Sequence, residues 1–537
     1  MSGVSPGGPA GEEIPETVAP QKEVPETVAR LTDGEWHRLH PASPLLKGGI
    51  ALIAILGIVI ANMRERLIAT FMPHYREDGD PVDFIVNNGY ILQALLVIGA
   101  VLIVLIAGFY VSWRMHSFRI TEEVVEVRSG ILFRTNRKAR LDRIQGINVV
   151  RPFFARLFGA AKLEISQAGH DANVQLSYLA SGATDDLRRE ILRRASGTRA
   201  AEAVAAAGDA HAAGGAPAAA SRHLLDRRVE EFLAPELDPD AAPPESVVTI
   251  HLGRLVGSII VSGTTVFALL LIAGAIVWIS TTGDLFALFF VLPSIIGFGS
   301  YYVRRFTRSL RYTIAGTPDG VRVGFGLLST SNETLPPGRI HSIEVSQPLL
   351  WRAADWWQIR VNRASHTSSR GAENQANTTI LPVGNRADVT KVLELMLPDF
   401  AGPEAIAFIQ SGLLSKGDDG FTNSPRRAAW LLPFSWRRNG FRIVPGSIVL
   451  RRGAVWRRLI IVPQPRLQSV ALSQGPLLHL LRLADVHLHT VAGPIRAELG
   501  AIDQDAALVF FAEVAEVAVR AGNSDTSHRW RAGEVSA

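Results

Sequence analysis

The chain has 537 residues, 47% of them hydrophobic and only 20% charged, with a mean hydropathy of +0.17. That is too apolar for an ordinary soluble enzyme and points to membrane spans. The lack of cysteine excludes disulfides, Cys-ligated zinc, iron–sulfur clusters and thiol catalysis. A formal charge of +5, carried mostly by Arg, suits an anionic membrane face or nucleic acid and does not choose between them.

Residues 1–44 are rich in Pro, Glu and Gly and duplicate "EIPETVA" as "EVPETVA". They can build little core, so a disordered tail is predicted, and the first apolar run starts too late for a signal peptide. Four apolar runs follow, at about 45–62, 90–113, 255–279 and 285–303. A run of that kind reaches across the roughly 30 Å hydrocarbon layer. They pair as two transmembrane α-helical hairpins, 45–113 and 248–303. Arg38, Lys47, Arg114, Arg119, Arg254, Arg304, Arg305, Arg308 and Arg311 flank the side to which each hairpin returns. The positive-inside rule then predicts a multi-pass cell-membrane protein with both termini and all large segments cytoplasmic. An Ala/Gly/Pro-rich stretch at 197–247 and a shorter break at 401–427 read as linkers.

One pattern occurs three times, at 129–165, 324–361 and 452–488. In each copy a Gly stands 13 residues before an Arg: Gly130 and Arg143, Gly326 and Arg339, Gly453 and Arg466. An aliphatic residue follows the Arg, then an alternating apolar pair (Ile147/Val149, Ile343/Val345, Val470/Leu472). A Pro closes the run at Pro152, Pro348 and, one residue later, Pro476. The Gly supplies the φ > 0 of a tight hairpin, the alternation buries one strand face, and the Pro ends the strand. Helices are predicted at 184–195, 386–397 and 504–519. These nine Gly, Arg and Pro residues read as a structural signature.

The pattern resembles the bacterial pleckstrin-homology-like (PH-like) domains of the membrane-associated type, the former DUF304 or bPH2 family typified by YdbT- and YdbS-like proteins. Pro463 to Ala484 matches the family motif P-x-x-R-[IL]-Q-x-V-x-[VL]-x-Q-G-P-L best. The first copy keeps Arg143, Ile144 and Gln145 but has "VRP" for Gln-Gly-Pro, and the second has His341 for the Gln. "RLHPAS" (38–43) is similar to the family's lead-in, and the resemblance covers about 36–195 and 248–522. It implies three PH-like β-sandwiches, each seven-stranded and closed by a C-terminal helix. They are placed at 114–196, 304–400 and 428–522, with a tail at 523–537.

"SWRMHSFRI" (112–120) leaves the second span, and "SWRRNGFRI" (435–443) enters the third unit. The apolar stretch "AAWLLPFSW" (428–436) that leads into the latter is only nine residues long, too short to span, and contains Pro433. Trp430, Phe434 and Trp436, bracketed by arginines, therefore fit either an interfacial anchor or packing between domains. From 426 to 500 there are twelve Arg and two acids. Arg451, Arg452, Arg457 and Arg458 around Gly453 are the candidate contacts to anionic lipid or a partner, with a plain solvated surface as the alternative.

No Walker A, HExxH or G-x-S-x-G sequence is present, and His487/His489 have no third ligand at zinc-like spacing. No cofactor, metal or nucleic-acid partner is expected. The expected function is non-enzymatic binding of membrane lipids or of a protein partner, including another copy. The alternative is a scaffold or assembly factor in an envelope-stress or secretion complex.

Overall fold

The structure is a computed structural model. It describes residues 26–40, 43, 88–130, 134–167, 173–195, 248–283, 287–317, 320–327, 329–336, 338–364, 378–397, 403–415 and 419–523. A short helix α1 (Glu26–Leu31) precedes the first unit, whose strands are β1 (His37–Arg38), β2 (Ser117–Ile120), β3 (Val124–Ser129), β4 (Thr135–Arg140), β5 (Ile144–Arg151), β6 (Ala160–Gln167) and β7 (Val174–Ala180). Between β1 and β2 runs α2 (Ile91–Arg114), and the unit also contains α3 (Phe153–Leu157) and the closing helix α4 (Ser181–Ala195). β6 alternates buried and half-buried side chains, the two-residue period of a strand with one face in a core. Ile144, Ile147, Val149, Leu163 and Ile165 are fully buried against Leu187 and Ile191 of α4. Each contributes roughly 1.5–3 kcal/mol of burial.

The second unit repeats this order. It has β8 (Val248–Thr249), then α5 (Leu252–Ile260), α6 (Gly263–Thr282) and α7 (Ala287–Ser309). There follow β9 (Thr313–Thr317), β10 (Gly320–Phe325), β11 (Thr330–Leu335), β12 (Ile340–Gln347), β13 (Trp357–Arg363), β14 (Thr379–Gly384) and α8 (Arg386–Met396). A linking helix α9 (Pro403–Leu414) leads to the third unit: β15 (Thr422–Asn423), β16 (Gly440–Val444), β17 (Ser447–Arg452), β18 (Arg457–Pro463), β19 (Ser469–Ser473), α10 (Pro476–Leu480), β20 (Leu483–His489), β21 (Ala497–Asp503) and α11 (Gln504–Asn523). Each unit thus has seven strands and a closing helix.

The first strand of each unit lies further upstream than the sequence reading placed it. β1 falls in the segment read as a tail, β8 in the hairpin segment, and β15 in the 401–427 linker. The long apolar insertions sit between the first and second strands of their units. Strands of two residues carry too little periodicity to be seen in sequence.

The units do not form separate sandwiches. The sheets run β1-β2-β3-β4, β7-β6-β5-β11-β10-β9-β8, β14-β13-β12-β18-β17-β16-β15 and β19-β20-β21. The second half of each unit is therefore hydrogen-bonded edge to edge with the first half of the next. β5 pairs with β11 over five positions, from Arg151↔Thr330 to Ile147↔Thr334. β12 pairs with β18 from Gln347↔Arg457 to Ile343↔Ile461. The corner arginine Arg339 donates from Nη2 to the carbonyl of Asp142 in the first unit at 3.0 Å, so consecutive corners also touch.

The signature residues behave as their chemistry requires. Gly130, Gly326 and Gly453 have φ of 108°, 106° and 80°. A Cβ at Gly326 or Gly453 would come within 2.0 Å of the carbonyl oxygen of Ser329 or Trp456. Pro152 and Pro348 precede short helical turns, and Pro476 is the first residue of α10.

Among the described residues one helix, α6, is long and apolar enough by length and composition to cross a membrane. Its 20 residues rise about 30 Å. The expected run 255–279 is broken at Ser262, whose side chain caps α6 by accepting from the Thr265 N–H. α5 is a separate helix whose Leu255 and Ile259 pack beside Trp351 and Trp356 of the second unit. Gly257 receives the Trp356 ring, which a Cβ would meet at 2.6 Å. α7 packs back on α6 through Tyr302, which donates to Thr265 at 2.9 Å, and contains Pro293. α2 covers 24 residues and leaves Leu92, Ile103 and Val104 about two-thirds exposed. The expected span at 45–62 lies outside the described residues.

Candidate functional site

In the first two units the interval between strands one and two carries the long apolar helices. In the third unit the same interval, from β15 to β16, holds only residues 424–439. Two short 3-10 turns, Arg426–Trp430 and Trp436–Arg438, fold that segment against its own domain. Ala428 is buried with Leu483 and Ala501, and Arg427 donates to the carbonyls of Leu481 (2.7 Å) and Arg482 (3.1 Å) while pairing with Asp503. This fixes the loop and turns two aromatics outward. Trp430 is 87% and Phe434 83% exposed.

Trp436 does not join them. It packs on the Ala428 cluster, with the Arg437 guanidinium 5.2 Å from its ring centre. Its counterpart in the "SWR" echo, Trp113, packs on the first unit's core and donates to the Leu39 carbonyl at 3.0 Å. Both tryptophans hold the entry into a domain. Trp436 is thus corrected from an anchor to a packing residue.

The β17–β18 hairpin around Gly453 lies beside the loop. Successive strand residues face opposite ways, so its four arginines divide. Arg452 and Arg458 are cross-strand partners on one face. Arg452 donates to the Glu498 carbonyl and carboxylate, both at 3.2 Å, and both arginines are partly exposed. Arg451 and Leu459 are partners on the other face, toward α9. Arg451 is fully buried, ion-paired with Asp419, bonded to Asn423 Oδ1 at 2.8 Å and set 4.3 Å over the Phe421 ring. It cannot meet a lipid, which corrects its place among the candidates. Arg457 donates to Gln347 Oε1 of the second unit at 3.3 Å, and so serves the seam between units.

Two further arginines shape the hairpin. Arg352 of the second unit donates to the carbonyl oxygens of Ala454 and, at 2.8 Å, Val455. Arg438 is buried and donates to the Gly412 and Leu413 carbonyls at 3.2 Å and to that of Ser415, satisfying the last carbonyls of α9. It also reaches the Gly453 carbonyl at 3.3 Å. Burial, reinforced by Arg451, Arg457 and Arg352 nearby, pushes its pKa down to about 10.

Loop and hairpin enclose a cleft of about 510 Å3. Leu431, Pro433 and Phe434 form one wall, Val455 and Trp456 the other, with Arg452 and Arg458 between them. Trp456 is 61% exposed, and nothing in the sequence set it apart from the other tryptophans. The arrangement offers two cations in a cleft lined by two outward aromatics, Phe434 and Trp456, which suits an anionic headgroup at a membrane interface. His487 and His489 stack with ring centres 6.3 Å apart, and among the described residues no group of three or more His, Cys, Asp or Glu could hold a metal.

The family model described as "Bacterial PH domain" matches residues 68–195, 254–400 and 404–518. The chain is also similar to the UPF0699 transmembrane protein YdbT of Bacillus subtilis (strain 168), at 21% identity over 164 residues. That match spans 30% of this chain and 30% of the relative's own length. No solved structure matches the chain. With three repeats of one seven-strand unit matched over most of its length, the chain belongs to the bacterial PH domain family.

Proposed function

We propose that this is a non-enzymatic, multi-pass membrane protein whose PH-like units lie against the cytoplasmic face. In this reading the third unit binds anionic lipid headgroups through the cleft of Arg452 and Arg458. One observation carries it: Trp430 and Phe434 stand exposed at the chain position where the other two units insert their long apolar helices. Two transmembrane hairpins, 45–113 and 248–303, would hold the first two units at the membrane, and the aromatic loop would seat the third. Each cleft arginine near an anionic leaflet adds roughly 1 kcal/mol of attraction. Reconstitution with a photoactivatable anionic phospholipid tests the proposal. Adducts should map to peptides containing 430–434 and 452–458, and should be lost with Arg452→Glu/Arg458→Glu. Adducts confined to the long helices would refute the headgroup site.

A second reading, a scaffold acting through protein contacts, is favoured by the edge-to-edge sheets. They leave strands β4 in the first sheet and β19 in the last, as well as the other sheet-edge strands, with no strand on the outer side among the described residues.

A further inference from the structure

The two seams between units share one register. In the β12–β18 seam, Arg457, four residues after the hairpin glycine, faces Gln347, eight residues after the corner arginine. In the β5–β11 seam, Thr330 and Arg151 hold the same two positions. The next four pairs follow in step in both. A further bond recurs: Arg156, thirteen residues after Arg143, donates to the Leu327 carbonyl at 3.4 Å. Arg352, thirteen after Arg339, donates to the Ala454 carbonyl. Leu327 and Ala454 each follow the hairpin glycine.

The strands that would make a third such seam are β4 of the first unit and β19 of the third. Each ends its sheet, and among the described residues neither has a strand on its outer edge. β4 is exposed at every position except Ala139. We propose that copies of this chain join head to tail, β19 of one copy pairing antiparallel with β4 of the next in the register of the internal seams. That register sets Ser473 opposite Thr135, Leu472 opposite Asn136, Ala471 opposite Arg137 and Val470 opposite Lys138. It also sets Gln474 opposite Arg134, the same residue types that meet as Gln347 and Arg457 inside the chain.

A second copy is the occupant because the chain already makes this contact twice with itself. Charge agrees: Arg134 and, within β4, Arg137, Lys138 and Arg140 make this edge basic, and 469–474 is uncharged, so no like charges face one another. Tethering to one membrane raises the effective concentration of the two edges. A head-to-tail contact of this kind closes into a ring or propagates as a filament.

The absence of native cysteine makes the test direct. The full-length protein carrying Thr135→Cys and Ser473→Cys is oxidised in its membrane with copper phenanthroline, which takes two electrons and two protons per disulfide formed. The expected product is a series of crosslinked multimers of the 58.2 kDa chain, with none from Thr135→Cys alone or Ser473→Cys alone. Val150→Cys with Ser331→Cys, the same two positions at the internal seam, should close within one chain and leave the mass unchanged. If that control closes and the 135/473 pair gives no multimers, gives as much product from one cysteine alone, or captures another protein instead, the proposal is overturned. The unmodified protein in nanodiscs should weigh a multiple of one chain by light scattering, and a strictly monomeric mass would likewise overturn it.

Discussion

Arg451 and Asp419 form an ion pair sealed inside the molecule, with the Arg451 side chain wholly buried and that of Asp419 4% exposed. An arginine one residue along the chain from the cleft's Arg452 is thus an internal strut joining β17 to the segment before β15. Removing one partner leaves the other charge buried and unpaired. Asp419→Ala should lower stability by roughly 3–5 kcal/mol, read as a shift in urea midpoint in detergent, while Arg452→Ala on the open face should change it by less than about 1 kcal/mol. Equal effects of the two would contradict the division of faces.

The hairpin glycines admit no side chain. Gly453 has φ of 80°, and a Cβ would lie 2.0 Å from the Trp456 carbonyl oxygen. Gly453→Ala should cost at least about 2 kcal/mol through backbone strain and displacement of the turn, and should spoil the cleft without touching its arginines. A Gly446→Ala control, with φ of 73° but nothing near its Cβ, should cost only the backbone strain of about 1–2 kcal/mol, less than Gly453→Ala. Thermal melts of the two variants separate strain from clash.

Arg352→Ala removes the bonds that hold Ala454 and Val455 to the second unit. Charged hydrogen bonds of this kind contribute about 1.5–3 kcal/mol. Hydrogen exchange at residues 454–457 should quicken, and exchange at the β5–β11 seam should not. Unchanged exchange at 454–457 would show that the hairpin needs no support from the neighbouring unit.

His341 gives the structure a pH signature. Burial, with Arg466 and Arg339 close by, pushes its pKa down to about 4 from the ordinary 6.5. Between those values the unfolded chain binds the proton and the folded chain does not, so stability falls as pH drops from 6.5 toward 4. The loss amounts to about 3 kcal/mol over the window. The first and third units carry Gln145 and Gln468 at this position, so His341→Gln should fold and flatten that part of the stability profile. An unaltered slope would place the titrating group elsewhere.

Much of the unit was legible in sequence, because a Gly-to-Arg spacing repeated three times reports a hairpin and a corner whatever the surrounding residues. Some of what was missed was also present there. Period two separates Arg451 from Arg452 and Arg457 from Arg458, and Ser262 marks the break between α5 and α6. Other features were not local. The shared sheets join residues nearly two hundred positions apart, such as Val149 and Asn332, and no periodicity within one strand names its partner. A left-handed residue recurs sixteen positions after each corner arginine, at Gly159, Asp355 and Arg482, but only the first is the glycine that would reveal it. The cleft arises only where the 424–439 loop folds back beside Gly453.

The claim that matters most is that this loop meets anionic lipid. With the native chain free of cysteine, Phe434→Cys can carry a single fluorescent label in proteoliposomes containing headgroup nitroxide lipid. Strong quenching is predicted in phosphatidylglycerol vesicles, falling several-fold in phosphatidylcholine or with Arg452→Glu/Arg458→Glu. Quenching that is equal in both lipids and indifferent to the arginines would contradict the account.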